Sequence, residues 1–447
     1  MRFSELDGAS IGVWGAGREI GSFARQLARR LPSAQIVAAA FDSPPGPAEL
    51  KMLGSPAPRI VGAAEAVEAM SGCALVVRSP GVSSYRPELQ ALGAAGVPVT
   101  TATALWLAER GGARVIGITG TKGKSTTAAL AFHLARAAGC DVRLAGNIGV
   151  PALDLLDEQP TEVVVLELSS YQIADLKQGP EVALLTNLFR EHTDWHGSEE
   201  RYRADKLRLL GLPGVHAAVL NARDARLAEL TPATPELHRY GLREGWDLAD
   251  DGGLARREEA ALAATELPLR GEHNALNLCG ALTALEAIGV ELPPLAPALA
   301  DFAALPHRLQ PILERDGVSW VDDSISTTPE SSVAALTSFA DSDVVLIAGG
   351  QDRGQEYGDL ARALQESGAT VIGVPSTGTS IVEAALAAGV APACAREAGD
   401  LAAAVALAGE LVAAGGVVLL SPAAPSYDHY RDFEQRGERF RELAEGA

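Results

Sequence analysis

The sequence has 447 residues, of which 47% are hydrophobic and 46 are glycine, and this predicts a globular α/β protein of more than one domain. Its formal net charge of −20 argues against a nucleic-acid binder, because a phosphate backbone would be repelled. Four scattered cysteines indicate neither a zinc site nor a disulfide framework. Because it has neither a signal-peptide core nor a run of about 18 apolar residues, we expect a cytoplasmic protein with no membrane partner.

Short apolar runs alternate with Ala/Leu-rich amphipathic runs along the chain. This alternation is typical of parallel sheets with crossover helices, so we predict an α/β fold. Changes in pattern predict three domains, at residues 1–110, 111–306 and 307–447. The stretch 246–264 reads either as a hairpin or as an exposed excursion.

The first predicted strand leads into "GVWGAGREIG", residues 12–21. The glycines resemble a dinucleotide-binding fingerprint, and Asp42 follows at a distance suited to a ribose hydroxyl. Glycines that serve only close packing would give the same pattern, so both interpretations stay open.

"GITGTKGKST", residues 117–126, predicts a phosphate-binding loop between a strand and a helix. Gly120 and Gly123 let backbone N–H groups approach an anion at the positive end of the helix. Lys124 would reach the β- and γ-phosphates, and Ser125 or Thr126 would offer a hydroxyl to Mg²⁺. The general pattern has Gly where this chain has Ile118, and a Gly-rich turn with an incidental lysine is the alternative.

Two later strands end in polar residues, where parallel sheets bind ligands. Glu167 closes "VVVLE", and its carboxylate suits Mg²⁺, although a solvated acid at a strand end is the alternative. The next strand runs into Glu191, His192, Asp194 and His196, whose spacing matches no standard zinc signature. Lys206, on a predicted helix, reads by itself as a surface lysine.

Together these segments resemble the Mur ligases, ATP-dependent enzymes that add amino acids during peptidoglycan synthesis. The resemblance rests on an ordered series of motifs: TGTKGKST, GNIG, ELSSYQ, EHTDWHG, YRADK, HNALN, LPHR, DDS and SPAAPSYDHYRDFEQRGERF. The last motif and the N-terminal segment most resemble the glutamate-adding members. The resemblance implies a Rossmann-like N-terminal domain for the UDP-substrate, a central P-loop ATPase-like domain, and a C-terminal Rossmann-like domain for the amino acid.

The resemblance also implies the chemistry. ATP would phosphorylate the carboxylate of UDP-N-acetylmuramoyl-L-alanine, and the amine of glutamate would displace phosphate from the acyl phosphate. Catalysis would depend on Lys124, Glu167, His192 and Lys206. Two Mg²⁺ sites are implied, from Ser125, Glu167, His192 and a carbamylated Lys206, whose modification replaces a cation by an anion.

Binding residues are implied in three groups. ATP would contact Gly120, Thr121, Lys122, Gly123, Lys124, Ser125 and Thr126 through its phosphates, and Asn274, Asn277, Arg308 and Asp323 through adenine and ribose. The UDP-substrate would contact Gly15, Gly17, Arg18, Glu19, Asp42, Ser79, Pro80, Gly81, Asn147, Ser169 and Gln172. Glutamate would contact Thr327, Thr328, Arg353, Ser426 and Phe433.

The sequence departs from the familiar D-glutamate-adding pattern on the acceptor side. Ile325 and Thr328 stand where those enzymes have lysine and asparagine, and Arg353 stands where they have a second lysine. Arginine imposes a bidentate geometry on a carboxylate that lysine does not. Because the ATP motifs are intact, we interpret the change as altered specificity, resembling a subgroup that adds L-glutamate.

Four further functions compete with a monomeric glutamate ligase that takes small-molecule substrates. They are an ordinary D-glutamate-adding ligase, a folylpolyglutamate synthase, a nicotinamide-dependent oxidoreductase and a non-catalytic nucleotide sensor. Folylpolyglutamate synthases lack a UDP-binding domain before the phosphate loop, and an oxidoreductase leaves that loop without a role. A sensor would not need the set Lys124, Glu167, His192 and Lys206.

Overall fold

A computed structural model describes residues 1–42, 44–54, 56–157, 161–189, 193–269, 271–303, 306–340, 342–352 and 354–446, without the side chains of Ala48, Thr193, Asp194 and Glu330. The chain divides into two compact units, Met1–Phe302 and Ala303–Ala447.

The first unit begins with a parallel sheet whose strands pair in the order β3-β2-β1-β4-β5. Its central strand β1 is buried from Ile11 to Trp14, as expected for a strand that is covered on both faces. The strands are β1 Ser10–Trp14, β2 Gln35–Phe41, β3 Arg59–Gly62, β4 Leu75–Arg78 and β5 Val99–Thr100, and the helices are α1 Arg18–Arg30, α2 Pro47–Met52, α3 Ala63–Met70, α4 Pro87–Ala94 and α5 Ala102–Glu109.

A second parallel sheet in this unit has the strand order β11-β10-β9-β6-β8-β7. Its strands are β6 Arg114–Thr119, β7 Val142–Gly146, β8 Val163–Glu167, β9 Val182–Leu185, β10 Ala217–Asn221 and β11 Glu236–Tyr240. The associated helices are α6 Lys124–Ala137, α7 Ser170–Ile173, α8 Thr193–His196, α9 Glu199–Arg208, α10 Ala225–Ala228, α11 Glu272–Ala287 and α12 Leu295–Leu299. The stretch 246–264, which the sequence left as either a hairpin or an exposed excursion, forms an antiparallel sheet of β12 Trp246–Leu248, β13 Leu254–Arg256 and β14 Glu259–Leu262. The hairpin interpretation is therefore the closer one.

The second unit contains a sheet with the order β15-β16-β20-β17-β18-β19, parallel except for β15, which pairs antiparallel with β16. Its strands are β15 Gln310–Arg315, β16 Val318–Asp322, β17 Val344–Ala348, β18 Thr370–Gly373, β19 Ala395–Glu397 and β20 Val417–Leu420. Its helices are α13 Pro329–Thr337, α14 Gly358–Ser367, α15 Gly378–Ala387, α16 Leu401–Leu411 and α17 Phe433–Gly446.

The strand order of the second sheet determines where its polar residues meet. β6 pairs with β8 on one side and with β9 on the other, with Ile118 opposite Glu167 and Thr119 opposite Leu185. The carboxyl ends of the three strands therefore adjoin. The chain adds β8 on one side of β6 and β9 on the other, and such a change of direction in the strand order creates a ligand crevice.

The predicted α/β class with several parallel sheets is confirmed. Each of the three predicted segments contains one parallel or mostly parallel sheet, while the exact domain boundaries stay predictions. Among the described residues, no helix combines the length and apolar character needed to cross a membrane.

Candidate active site

The phosphate loop lies between β6 and α6 and depends on two glycines in the positive-φ region. Gly123, at φ +80°, precedes the first turn of α6, and a Cβ there would lie 2.4 Å from Asn277 Oδ1. At Gly120, φ +148°, a Cβ would lie 1.9 Å from Thr186 Oγ1. Only glycine fits both backbone and neighbours, so the loop packs closely where an anion would approach the helix N-terminus.

Lys124 folds back over this loop. Its Nζ donates hydrogen bonds to the carbonyl oxygens of Gly120 at 3.0 Å and Thr121 at 2.8 Å. Ser125 and Thr126, in the first turn of α6, are 6% and 5% exposed. The predicted phosphate-contacting residues therefore form one continuous loop and helix start.

Two residues that the sequence pattern did not single out hold the loop in place. Asn187 Oδ1 accepts hydrogen bonds from the backbone N–H groups of Thr121 and Lys122, at 3.1 and 2.8 Å. Thr186 Oγ1 donates to the carbonyl oxygen of Lys122 at 2.6 Å. Their signal was a polar Thr-Asn pair directly after the apolar strand β9, at the edge where the phosphate loop lies.

Glu167, at the end of β8, is fully buried. Its Oε1 accepts a hydrogen bond from Asn147 Nδ2 at 2.8 Å, while its Oε2 has no partner among the described residues. A buried carboxylate oxygen without a donor is costly unless a cation completes it. Glu167 and Ser125, the latter in the first turn of α6, offer the hard oxygen ligands that Mg²⁺ takes, so these residue types fit this ion.

His192, predicted as a metal ligand, lies outside the described residues. Within the described ranges, no group of three or more His, Cys, Asp or Glu side chains is arranged to hold a metal. Of the predicted magnesium ligands, Ser125, Glu167 and Lys206 lie within the described residues, and their role as ligands stays a prediction.

Lys206 is not a surface lysine. It lies on α9 and is 2% exposed, and its Nζ donates to the carbonyl oxygen of Gly120 at 2.8 Å. The same Nζ lies 4.9 Å from the centre of the Tyr202 ring, whose hydroxyl is 2.8 Å from Thr121 Oγ1. The fold thus brings Lys206 to the phosphate loop across 86 residues of sequence.

Helix α11 contributes the predicted nucleotide residues of the first unit. Asn277 is 7% exposed and packs against Gly123, and its Nδ2 is 3.4 Å from Asn274 Oδ1. Both asparagines therefore lie at the phosphate-loop end of α11.

The residues predicted for the UDP-substrate divide into two groups. In the first, Gly15 lies against the segment that contains Ser79, since a Cβ on Gly15 would be 3.1 Å from Ser79 Cβ. Gly17, Pro80 and Gly81 belong to the same two loops, and the Arg18 guanidinium donates to the carbonyl oxygen of Gly149. These loops follow β1 and β4, which are adjacent strands.

Asp42 is exposed and forms an ion pair with Arg86, whose NH1 lies 2.7 Å from Asp42 Oδ2. The Arg86 guanidinium also lies 5.0 Å from the centre of the Trp14 ring. Arg86 is a further residue that the sequence pattern did not single out, and it gives this edge of the sheet a cation.

In the second group, protein contacts already engage the predicted side chains. Gln172 Oε1 accepts from the backbone N–H and the hydroxyl of Ser169, at 2.8 and 2.9 Å, which caps α7. Gln172 Nε2 donates to Glu19 Oε1 at 2.5 Å. Burial raises the pKa of Glu19, and the Gln172 hydrogen bond opposes that shift. These three residues therefore join the two sheets of the unit, and their contact with substrate stays a prediction.

In the second unit, Asp323 directly follows β16 and is 2% exposed. Its Oδ2 accepts from Ser421 Oγ at 2.7 Å and its Oδ1 from the backbone N–H of Leu309 at 3.1 Å. Burial raises the pKa of Asp323 to about 6, and the charge of nearby Arg308 opposes that shift. The predicted ribose ligand thus also holds the ends of β16 and β20 together.

The predicted acceptor residues take different roles in this unit. Thr328 is the N-cap of α13, since its hydroxyl accepts from the backbone N–H of Ser331 at 3.4 Å. Ser426 is 2% exposed, and the ring of Phe433 lies 6.1 Å from that of His307. Arg353 lies outside the described residues. Helix α13 begins at Pro329, a position that suits proline because the first N–H groups of a helix have no partner within it.

Two residues of the "FEQRG" motif lie against the loop after β16: Arg436 binds it by hydrogen bonds, and Gly437 allows close packing. The Arg436 guanidinium donates to Ser324 Oγ at 2.9 Å and to the carbonyl oxygen of Ser324 at 2.8 Å. Burial lowers the pKa of Arg436 to about 10. A Cβ on Gly437 would lie 2.1 Å from His307 Nδ1 and 2.5 Å from Asp322 Oδ2, so this helix position requires glycine.

A cavity of about 240 Å³ lies at the carboxyl edge of this sheet. Its walls include Gly349 and Gly350 after β17, together with Asp428 and Arg436. Asp428 Oδ1 is buried and has no hydrogen-bond partner among the described residues. None of Thr327, Thr328, Ser426 and Phe433 lines this cavity.

Comparison with known protein families gives one match in each of the two units. The chain matches the Mur ligase middle domain over residues 118–285 and the Mur ligase, glutamate ligase domain over residues 307–424. A UDP-N-acetylmuramoyl-L-alanine–L-glutamate ligase of Xanthomonas euvesicatoria pv. vesicatoria (strain 85-10) is 43% identical over 458 residues, which covers 99% of this chain and 97% of that protein. A ligase of the same name from Salinispora tropica is 42% identical and covers 98% of both chains.

Solved structures show the same fold at low identity. The MurF ligase from Thermotoga maritima in complex with ADP has a TM-score of 0.60 and 18% identity, and the match covers 100% of this chain and 96% of that one. A bifunctional folylpolyglutamate synthase/dihydrofolate synthase with Mn, AMPPNP and L-glutamate bound has a TM-score of 0.56 and 18% identity, but it covers only 75% of this chain. Because the phosphate loop is in place and the relatives match from end to end, this chain belongs to the Mur ligase family of ATP-dependent enzymes that form amide bonds.

Proposed function

We propose that this chain, a glutamate-adding ligase of peptidoglycan precursor synthesis, joins L-glutamate to UDP-N-acetylmuramoyl-L-alanine. Support comes from the relatives that carry this name, which are 41–43% identical over nearly the whole chain. The observation that carries the choice of L-glutamate is Ile325, an apolar residue where D-glutamate-adding enzymes have a lysine.

The proposed reaction has two steps. The terminal carboxylate oxygen of the UDP-substrate attacks the γ-phosphorus of ATP, the bond to the bridging oxygen breaks, and ADP leaves with an acyl phosphate formed. The α-amine of glutamate then attacks the acyl carbon, loses a proton and expels phosphate, and an amide remains. In this reaction Lys124 and the N-terminus of α6 hold the transferring phosphoryl group.

Glu167 and Ser125 would hold Mg²⁺, and His192 would belong to a second site. The ion neutralises charge on the phosphates when it is bound. The support for Glu167 is its buried Oε2 atom, which has no donor among the described residues.

We further propose that Lys206 works as a carbamate. Its neutral amine would add to CO₂ and release one proton, and this turns a cationic side chain into an anionic one. Burial of Lys206 beside Gly120 supports the proposal, because an anion there would lie at the edge of the phosphate loop and could orient a metal.

The loop after β16, which contains Ser324 and Ile325, supports the proposed change of specificity because its backbone is held in place. The N–H of Ile325 donates to the carbonyl oxygen of His307 at 3.1 Å, and Arg436 holds Ser324. The loop is therefore fixed on both sides, and the side chains that it presents decide which carboxylate geometry fits. An apolar Ile325 removes the charged anchor that D-glutamate would require at this position.

The enantiomer assay decides between the two glutamate ligases. The purified chain is incubated with ATP, Mg²⁺ and UDP-N-acetylmuramoyl-L-alanine, with L- or D-glutamate over a concentration series, and ADP release is measured. We expect kcat/KM for L-glutamate to exceed that for D-glutamate at least about tenfold, an energy difference of about 1.4 kcal/mol. A larger kcat/KM for D-glutamate would refute the L-glutamate proposal and establish the ordinary D-glutamate ligase.

Two controls distinguish the glutamate ligase from an ATPase and from a folylpolyglutamate synthase. ADP release that requires neither the UDP-substrate nor glutamate would contradict the ligase and indicate a simple ATPase. Replacement of the UDP-substrate by a pteroyl substrate tests the folylpolyglutamate synthase, and we expect no turnover with it.

A further inference from the structure

A chain of four polar side chains lies in the first unit, and three of them are buried while Tyr85 is partly buried. Ser170 Oγ lies 2.9 Å from His196 Nε2, and His196 Nδ1 lies 2.7 Å from Asp205 Oδ2. The hydroxyl of Tyr85 donates to the Asp205 carboxylate, at 2.7 Å from Oδ1 and 2.8 Å from Oδ2. These four residues, the Tyr85–Ser170 chain, come from four separate segments.

The order serine, histidine and aspartate resembles the arrangement of a nucleophilic triad. Burial excludes that chemistry, since Ser170 is 2% exposed, His196 0% and Asp205 7%. A nucleophile that no substrate reaches has no catalytic use. The hydrogen bonds are satisfied within the protein, which is typical of a network that determines position.

One end of the Tyr85–Ser170 chain belongs to the loop after β4, the segment predicted to contact the UDP-substrate. Pro80 accepts a hydrogen bond from Trp195 Nε1 at 3.1 Å, and Ser83 Oγ donates to the carbonyl oxygen of Trp195 at 2.7 Å. The Trp195 ring stacks on that of Tyr171, with centres 4.5 Å apart. This loop is therefore attached to α8, directly beside His196.

Arg78, at the end of β4, strengthens this attachment. It is fully buried, and its Nε donates to Asp175 Oδ2 at 2.6 Å while its NH2 donates to the carbonyl oxygen of Tyr171 at 2.6 Å. The NH1 group of Arg78 also donates to the carbonyl oxygens of Pro80 and Val82, so the buried charge of Arg78 has the hydrogen bonds that it requires.

The residue next to Tyr85 in the Tyr85–Ser170 chain, Asp205, lies on α9, the helix that carries Lys206. Asp205 and Lys206 are consecutive, so the two side chains leave the helix about 100° apart. Asp205 faces Tyr85 and His196, and Lys206 faces Gly120. Tyr202 lies on the same helix, and its hydroxyl lies 2.8 Å from Thr121 Oγ1. Rotation or displacement of α9 would move Lys206 away from the phosphate loop.

We propose that Asp205 and Tyr85 are positioning residues for Lys206, and that through them the loop after β4 determines where Lys206 meets the phosphate loop. The proposal rests on the proposed function for the role of Lys206 in turnover. Its physical reason is that the Asp205 carboxylate accepts hydrogen bonds from two different segments, so that α9 is attached both to the loop after β4 and to α8. A ligand that orders the loop after β4 would thereby also order Lys206.

Three variants test the proposal. Asp205→Ala removes the hydrogen bonds to both Tyr85 and His196. Asp205→Asn keeps an acceptor for Tyr85 and can bond His196 once the imidazole changes tautomer, so that Nδ1 accepts from the amide N–H. Tyr85→Phe removes a single hydroxyl. The matched control is Asp247→Ala, which removes another buried carboxylate of the same unit, 2.8 Å from Arg223 NH2 and remote in sequence from the phosphate loop. All variants are compared with the full-length wild type.

The first readout is kinetic. We expect kcat to fall at least tenfold in Asp205→Ala and about threefold in Tyr85→Phe, with Asp205→Asn closer to the wild type than Asp205→Ala. The Kd for ATP, measured without the other substrates, should change less than twofold, because Lys124 and the loop glycines remain. A kcat for both Asp205→Ala and Tyr85→Phe within twofold of the wild type would overturn the proposal.

The second readout does not depend on the reaction. Each protein is treated briefly with an amine-acylating reagent, and modification of Lys206 is quantified by mass spectrometry. We expect at least threefold more modification of Lys206 in Asp205→Ala and Tyr85→Phe, and no change in Asp247→Ala. Unchanged protection of Lys206 in the first two variants would refute the positioning role, even if turnover fell.

The two readouts separate the failure of this inference from the failure of the proposed function. If the wild type does not turn over glutamate, the proposed function is wrong, while the acylation pattern still tests the contact between α9 and the loop. If Asp205→Ala is insoluble, Tyr85→Phe supplies both measurements, because it retains the ring and its packing against Trp195.

Discussion

The side-chain nitrogens of Lys124 and Lys206 both donate a hydrogen bond to the carbonyl oxygen of Gly120, at 3.0 and 2.8 Å. One lysine begins α6, and the other lies on α9. Their convergence on one carbonyl places two basic side chains at the edge of a loop built for phosphate, so a change at either lysine should affect the chemistry of this site.

Replacement of Lys206 should abolish turnover. We expect Lys206→Ala to lose at least about 100-fold in kcat, because a charged group beside the transferring phosphoryl group is removed. If the working form is a carbamate, a small carboxylic acid in the buffer should restore part of the activity. Lys177→Ala, at an exposed position, is the control and should behave as the wild type. Wild-type activity in Lys206→Ala would show that no carbamate is needed.

Glu167 should determine the magnesium requirement. In Glu167→Gln an amide replaces the carboxylate whose Oε2 has no donor among the described residues, so we expect the Mg²⁺ concentration for half-maximal activity to rise about 10- to 100-fold. Glu286→Gln, which alters a carboxylate 2.8 Å from Arg256 NH2, is the control. A magnesium titration of ADP release gives the result, and superimposable curves for Glu167→Gln and the wild type would contradict the assignment.

Gly123 should be irreplaceable in the phosphate loop. Alanine at φ +80° costs about 1–2 kcal/mol, and its Cβ would also lie 2.4 Å from Asn277 Oδ1. We expect Gly123→Ala to raise the Kd for ATP at least about tenfold. Gly139→Ala is the matched control, since Gly139 follows the other end of α6 at φ +85° and a Cβ there meets nothing within 4 Å. Equal ATP affinity in the two variants would show that the contact with Asn277 is unimportant.

Gly437 should be needed for the stability of the second unit. In Gly437→Ala the new methyl group would meet the His307–Asp322 pair at 2.1 and 2.5 Å, and we expect a loss of about 2 kcal/mol or more. Gly409→Ala also changes a helical glycine, but its Cβ would lie 3.8 Å from Trp320, an ordinary contact. That control should be neutral or more stable by up to about 1 kcal/mol, because alanine favours helix. Thermal unfolding of the full chain measures both, and similar melting temperatures would contradict the expectation.

The His307–Asp322 pair should make stability depend on pH. The hydrogen bond that His307 Nδ1 donates to Asp322 Oδ2, at 2.7 Å, raises the pKa of His307, and Glu434 and Glu438 act in the same direction. A histidine whose pKa is raised by folding stabilises the protein fully below its unfolded pKa of 6.5, and this contribution is lost as the pH rises through the folded pKa. The melting temperature should therefore fall more between about pH 6 and pH 8.5 in the wild type than in His307→Asn. Parallel pH profiles for the two proteins would show that the pair does not contribute.

Local patterns were enough to predict the parallel sheets and the phosphate loop. A strand, a Gly-rich loop and a helix follow one another within 117–126, and the helix α6 begins at Lys124 as the loop pattern requires. Glu167 was also predictable, because parallel strands place their last residues at one edge of the sheet. The Thr-Asn pair after β9 was missed, since two polar residues after a strand are also typical of an ordinary turn.

Chemistry that lies within single segments could be read from the chain alone: the loop that binds phosphate, the carboxylate at the end of β8, and the altered residues after Asp323. The burial of Lys206, the contact of Tyr85 with Asp205 across 120 residues, and the position of Gly437 against the His307–Asp322 pair depend on the tertiary structure. The physical reason is that periodicity and turn chemistry act over a few neighbouring residues. Hydrogen bonds between distant side chains exist only after strand order and helix packing have placed the segments side by side.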